Sequence, residues 1–129
     1  MNKVQDISAY IPQRPPFVFI DTIDELDGNV ARTSFTVTET CPLLVDGVLP
    51  LAGLMENAAQ TCAARAGNTI GYIGAVKQME VTRFPHVGEV LATEATVLQE
   101  AMNISLIECI IRSGGETIAN VTLKIATVG

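Results

Sequence analysis

Only one stretch of this chain can form a long helix, and nearly everything around it reads as strand. Between Pro50 and Gly67, residues 51–65 are good or tolerable helix formers throughout, Gly53 excepted. Proline suits the first helical position and glycine the left-handed stop, so the spacing predicts a helix of about four turns. Ahead of it, residues 6–11 can form a short helical turn ended by Pro12. The pair Pro15-Pro16 then forces an extended approach into Phe17-Val18-Phe19-Ile20, the expected first strand. Asp27-Gly28 signals a hairpin into a β-branched, alternating second strand from Val30.

After the loop 41–49, broken by Pro42 and Gly47, comes the helix, and from Ile70 onward the pattern is strand only. Residues 70–84, 89–101, 103–112 and 116–128 alternate or run apolar, with Ser113-Gly114-Gly115 as a tight hairpin. Gly71 and Gly74 read as places where the sheet bends. Two strands, a helix and four longer strands joined by hairpins specify an α+β fold, with one helix covering a curled antiparallel sheet. A chain of 129 residues with 48% apolar content suits one core, and no linker or repeat divides it, so one domain over 1–129 is expected.

Charge and composition narrow the function. Eight basic against fourteen acidic side chains leave a net charge of −6, which repels a phosphate backbone and argues against nucleic-acid binding. No apolar run approaches the roughly 20 residues that cross a bilayer, and the N-terminus carries no apolar leader segment, so a cytoplasmic location is expected and no membrane partner. Cys41, Cys62 and Cys109 are odd in number and lack C-x-x-C spacing. They read as buried thiols, with no disulfide framework, metal site or cofactor motif.

The helix carries the chemistry. Leu51, Met55, Ala58 and Cys62 fall on one narrow stripe, the expected core face. On another side Glu56 and Gln60 lie one turn apart among Ala52, Gly53, Ala59, Ala63 and Ala64, so a carboxyl and an amide stand in a patch of small residues with room for a ligand. A carboxyl drawn out of water holds its proton more readily, which would let a covered Glu56 act as general acid or base, with Gln60 orienting it or holding a substrate carbonyl.

Three stretches then resemble the hotdog family of 3-hydroxyacyl-acyl-carrier-protein dehydratases, the FabA/FabZ kind, and more closely the dehydratase-like proteins of aryl polyene pigment clusters. They are Ile11-Pro12-Gln13-Arg14-Pro15-Pro16-Phe17, Leu54-Met55-Glu56-Asn57-Ala58-Ala59-Gln60 and Arg83-Phe84-Pro85-His86-Val87-Gly88-Glu89. The resemblance implies a hotdog fold, Glu56 as the catalytic carboxylate, and Gly53, Asn57 and Gln60 as substrate-binding residues. It further implies an acyl thioester of acyl carrier protein or coenzyme A as substrate, and a homodimer paired through the strand 70–84.

The chain departs from the family pattern where the catalytic histidine usually stands. That loop reads Cys41-Pro42-Leu43, Gln13 replaces a histidine of the opening motif, and His86 is the one imidazole. Three functions are therefore expected in order. The first is dehydration of a 3-hydroxyacyl thioester through Glu56, the second hydrolysis of an acyl thioester with Glu56 activating water, and the third a non-catalytic partner of an active dehydratase. His86 reads as a surface or packing residue, and Cys41 lacks any neighbour in sequence to activate its thiol.

Overall fold

The computed structural model describes residues 3, 6–67 and 70–128, with Ile70 and Val128 described by backbone alone. A short 3-10 turn, Ile7–Ala9, is capped by the Asp6 carboxylate, which accepts from the Ser8 N–H. Strands β1 (Thr22–Asp27) and β2 (Val30–Thr36) form the first hairpin, followed by the helix α1 (Leu51–Ala66). Strands β3 (Ile70–Val81), β4 (Val90–Ala101), β5 (Ile104–Ser113) and β6 (Glu116–Val128) complete the chain. All pair antiparallel in one sheet of order β1-β2-β4-β5-β6-β3.

The helix boundaries follow from local chemistry. Pro50 is extended and serves as the N-cap, one position earlier than the sequence suggests, and Gly67 closes the helix in the left-handed conformation at φ 70°. Strands β2 and β5 bury alternate residues, as a sheet covered on one face requires, whereas β3 is exposed along most of its length. In β5, Ser105, Ile107, Cys109, Ile111 and Ser113 turn inward. Beneath the helix Ala58, Cys62, Ile107, Cys109, Val121 and Leu123 form one part of the core; Phe19, Phe35, Leu49, Leu54, Leu91 and Ile111 form another.

Three expectations need correction. Residues 17–20 are not a strand: they run extended beside the helix and outside the sheet, and the first strand begins at Thr22. The strand expected to reach residue 84 ends at Val81. The helix is also rolled about a quarter turn from the expected stripe. Its buried residues are Gly53, Leu54, Asn57, Ala58, Gln60, Thr61, Cys62 and Ala64, while Leu51 and Met55 are half-buried. The reason is polar. Asn57, Gln60 and Thr61 turn inward because their hydrogen-bond partners lie there, and a count of apolar residues places them outside.

Gly53 sets the seat of the helix on the loop before it. A Cβ built there would lie 2.2 Å from Cδ1 and 2.5 Å from Cγ of Leu49, and Leu49 is fully enclosed and has nowhere to go. Gly53→Ala should therefore destabilise the protein by about 1–3 kcal/mol in urea unfolding. In a Leu49→Ala background the clash is gone, and the same substitution should become neutral or stabilising through the higher helix propensity of alanine.

Candidate active site

Two side-chain amides of the helix do the work of a neighbouring strand. Gln60, wholly buried, accepts the Phe19 N–H at Oε1 (2.7 Å) and donates from Nε2 to the Phe17 carbonyl (3.1 Å). Asn57, equally buried, donates to the Phe19 carbonyl (2.8 Å), and its oxygen accepts from the Thr93 hydroxyl on β4. Both peptide groups of Phe19 are thus satisfied away from the sheet, which is how Phe19 can be buried without lying in a strand. The Thr61 hydroxyl bonds the Asn57 carbonyl (2.9 Å) and the Thr33 hydroxyl on β2 (2.8 Å), which ties the same turn of helix to the sheet floor.

Glu56 stands at the outer margin of this arrangement. It is half-buried, and its Oε1 accepts from Gln60 Nε2 at 3.3 Å. Gln60 is itself held by two backbone bonds, so it offers the carboxylate a fixed donor. Ala52, Glu56, Ala59 and Ala63 share an outward arc of about 60°, with Glu56 its one large side chain. One turn beyond Glu56 this arc opens into a slot between the helix and the sheet, lined among others by Gln13, Ala59, Ala63, Ile73 and Ile107. The Gln13 Oε1 and Arg65 Nε atoms, at the margin of the same slot, are withdrawn from water and have no hydrogen-bond partner among the described residues. At the other end of the arc the helix start has no side-chain cap, and its positive pole has the sign that attracts a carbonyl oxygen.

The structure brings the expected site residues together unequally. Glu56 and Gln60 are in contact, Asn57 lies inside and engages Phe19 and Thr93, and Gly53 faces Leu49. Cys41 is buried, its thiol 3.4 Å from the Pro42 carbonyl, and burial together with the nearby Asp21 carboxylate pushes the thiol up from its ordinary range. That opposes thiolate formation and a nucleophilic role. The Cys62 and Cys109 sulfurs, 3.5 Å apart, are both buried, and the contact with Cys62 and loss of water push Cys109 up as well. His86 is exposed, although its backbone bridges to Val48 just ahead of the helix start. Among the described residues no group of His, Cys, Asp and Glu is arranged to hold a metal ion, and no helix is long and apolar enough to cross a membrane.

Sequence reasoning missed the group that holds the loops around the helix start. Glu89 accepts from the Arg83 guanidinium (2.8 Å), the His86 N–H (2.7 Å) and the Ser113 hydroxyl (2.7 Å). This joins the β3–β4 connection to the β5–β6 hairpin, and Leu49 N–H donates to the Pro85 carbonyl (2.8 Å) to tie in the segment before α1. The signal lay in Arg83 and Glu89 flanking a Pro-containing turn, but their partner Ser113 is distant in sequence.

A helix lying on a six-stranded antiparallel sheet, with its carboxylate on the outer face, defines the hotdog class of fold. The model for ApeP-like proteins, described as ApeP dehydratase, matches residues 5–128, and the chain belongs to this family. It is 27% identical over 127 residues to the 3-hydroxyacyl-[acyl-carrier-protein] dehydratase FabZ of Levilactobacillus brevis, which covers 88% of this chain and 84% of that protein. Among solved structures, the dehydratase heterocomplex ApeI:P from Xenorhabdus doucetiae matches with a TM-score of 0.88 at 19% identity, covering 95% of this chain and 91% of that one. A hypothetical thioesterase with coenzyme A from Streptococcus pneumoniae matches at 0.71 and 12% identity, covering 83% and 84%.

The Glu89 cluster predicts a pH dependence. Its hydrogen bonds, Arg83 first, hold the carboxyl down from 4.5 to about 2. Between those values the unfolded chain binds the extra proton, so the contribution is present above about pH 4.5 and is lost as pH falls toward 2. Glu89→Gln should therefore lower the melting temperature at neutral pH, and the gap from wild type should close in melts stepped downward through that window. A gap independent of pH would show that the charge contributes nothing.

Proposed function

We propose that this protein handles 3-hydroxyacyl thioesters as a dehydratase-type lyase, with Glu56 as its proton-transfer residue. The observation that carries the reading is the Gln60-anchored, half-buried carboxylate on an alanine-lined arc that runs into an apolar slot. The thioester carbonyl would face the uncapped helix start, where N–H groups stabilise the enolate-like charge. Glu56 takes the C2 proton, the electron pair of that C–H bond becomes the C2–C3 double bond, and the C3 hydroxyl leaves with a proton as water. The acyl chain follows the arc into the slot, while Gly53, Asn57 and Gln60 serve the substrate through the floor they build beneath Glu56. The carrier is an acyl carrier protein or coenzyme A, in fatty-acid or aryl-polyene-type biosynthesis in the cytoplasm.

One carboxylate must then shuttle the proton alone or share the task with a group from a second subunit. Among the described residues the outer edge of β3 is unpaired, and Tyr72, Ile73, Val76 and Met79 are exposed along that strand. Such an edge is a template for strand addition, and pairing through it would cover the slot that Ile73 lines. A homodimer meets this need. A heterodimer whose other chain supplies the second proton-handling group meets it too, and the heterocomplex formed by the similar ApeI:P proteins supports that reading. Val76→Glu should shift the wild-type dimer toward monomer in sedimentation velocity, and a wild type that sediments as monomer would exclude the homodimer.

The catalytic reading is tested by incubating the protein with 3-hydroxybutyryl and crotonyl thioesters and following enoyl absorbance and thiol release together. Enoyl turnover should fall by about 10²–10⁴-fold in Glu56→Gln with the circular dichroism spectrum unchanged. Thiol release abolished by the same substitution would make the protein a thioesterase. Turnover absent from wild type, alone and in its purified oligomer, would leave it a non-catalytic acyl-thioester-binding partner.

A further inference from the structure

Five of the eight cations of this acidic chain are committed. Lys3, Arg32, Arg65 and Arg83 pair with carboxylates, and Arg14 is folded onto the carbonyls of Ser8, Ile11 and Gln13. Among the described residues Lys77, Lys124 and Arg112 have no hydrogen-bond or ion-pair partner, and the two lysines stand at one place. They flank a groove floored by Leu106 and Ile104 and bordered by Met102 and Gln99.

This groove lies on the face of the sheet turned away from the helix. In β5, Ser105 and Ile107 are buried toward the helix, so Ile104 and Leu106 point the other way. In β6, Leu123 and Ile125 belong to the core, so Lys124 between them also points outward, directly opposite Leu106 in the ladder. At the tip of the β4–β5 hairpin Met102 is 100% exposed and adopts φ 58°, a conformation usually left to glycine or asparagine. A methionine placed there gains nothing from the core. Its unbranched thioether suits an adaptable contact surface.

We propose that this convex groove docks an acidic amphipathic helix of a partner protein. Apolar residues of that helix would rest on Ile104, Leu106 and Met102, and its carboxylates would meet Lys77 and Lys124, a helix-in-groove mode of recognition. Charge decides against a second copy, because a two-fold contact brings the same patch onto itself and sets lysine against lysine. Polyanionic surfaces fit poorly as well, since they leave the apolar floor of Ile104, Leu106 and Met102 unmatched. The proposal stands apart from the chemistry assigned to Glu56, which lies on the helix across the sheet.

The test uses the full-length protein and a fluorescein-labelled synthetic helix with leucine at i, i+3, i+4 and i+7 and glutamate elsewhere, with a lysine-for-glutamate version as its counterpart. Anisotropy should report binding of the acidic helix, and methyl NMR should place the shifts at Met102, Ile104 and Leu106. Lys77→Glu/Lys124→Glu should weaken the acidic helix at least tenfold and gain affinity for the basic one, which also demonstrates that the variant is folded. The proposal falls if those methyls do not move, if both peptides bind wild type equally, or if phosphatidylglycerol vesicles displace the helix and bind the patch in its place. It falls equally if the methyls shift with protein concentration alone and the double variant abolishes that self-association, since the occupant is then a second copy.

Discussion

Everything near the candidate site depends on two buried amides making bonds that a sheet would ordinarily make. Asn57 and Gln60 hold the Phe19 peptide groups from the side of the helix, and a buried peptide group without such partners costs on the order of 1–3 kcal/mol. The arrangement fixes the roll of the helix, because both amides must point inward and toward the incoming segment. That roll in turn brings Glu56 to the outer margin. The same Gln60 amide that bonds Phe17 reaches the Glu56 carboxylate, so one side chain links the path of the N-terminal segment to the position of the acid.

The architecture was largely legible in the sequence because its signals are local. Pro50 and Gly67 bound the helix, Asp27-Gly28 and Gly114-Gly115 mark hairpins, and inward alternation in β2 and β5 survives intact from sequence to structure. Residues 17–20 misled for a physical reason. Their composition suits a strand, but what decides is where their N–H and C=O groups are satisfied, and that lies 38 to 43 positions away at Asn57 and Gln60. The roll of the helix was illegible for the same cause. Hydropathy alone assigns polar residues to the outside, and only the partners Phe19, Thr33 and Thr93 turn Asn57, Gln60 and Thr61 inward. The contact between Glu56 and Gln60 was legible because i, i+4 spacing is independent of that roll.

The site as a whole shows a division between a rigid floor and an open side. The floor is polar, interlocked and wholly buried, and includes the Thr33–Thr61 and Asn57–Thr93 pairs. The open side is almost bare of functional groups: alanines, one carboxylate and the slot. On the proposed function, preorganisation is greatest where the reacting carboxylate would be held in place, and variation in side-chain size is least where an acyl chain would pass.

The unpaired edge of β3 has a consequence for the life of the molecule before it reaches its working state. The outer side of this twelve-residue edge strand, with aromatic and aliphatic side chains along it, accepts any complementary strand on offer, including one from a misfolded neighbour. Correct pairing and aggregation draw on the same hydrogen-bonding groups and differ only in which chain arrives first. On the proposed pairing through β3, synthesis of this chain is safest where its mate is close by and abundant, so that the rate of encounter, as much as the depth of the folded minimum, governs how much protein survives.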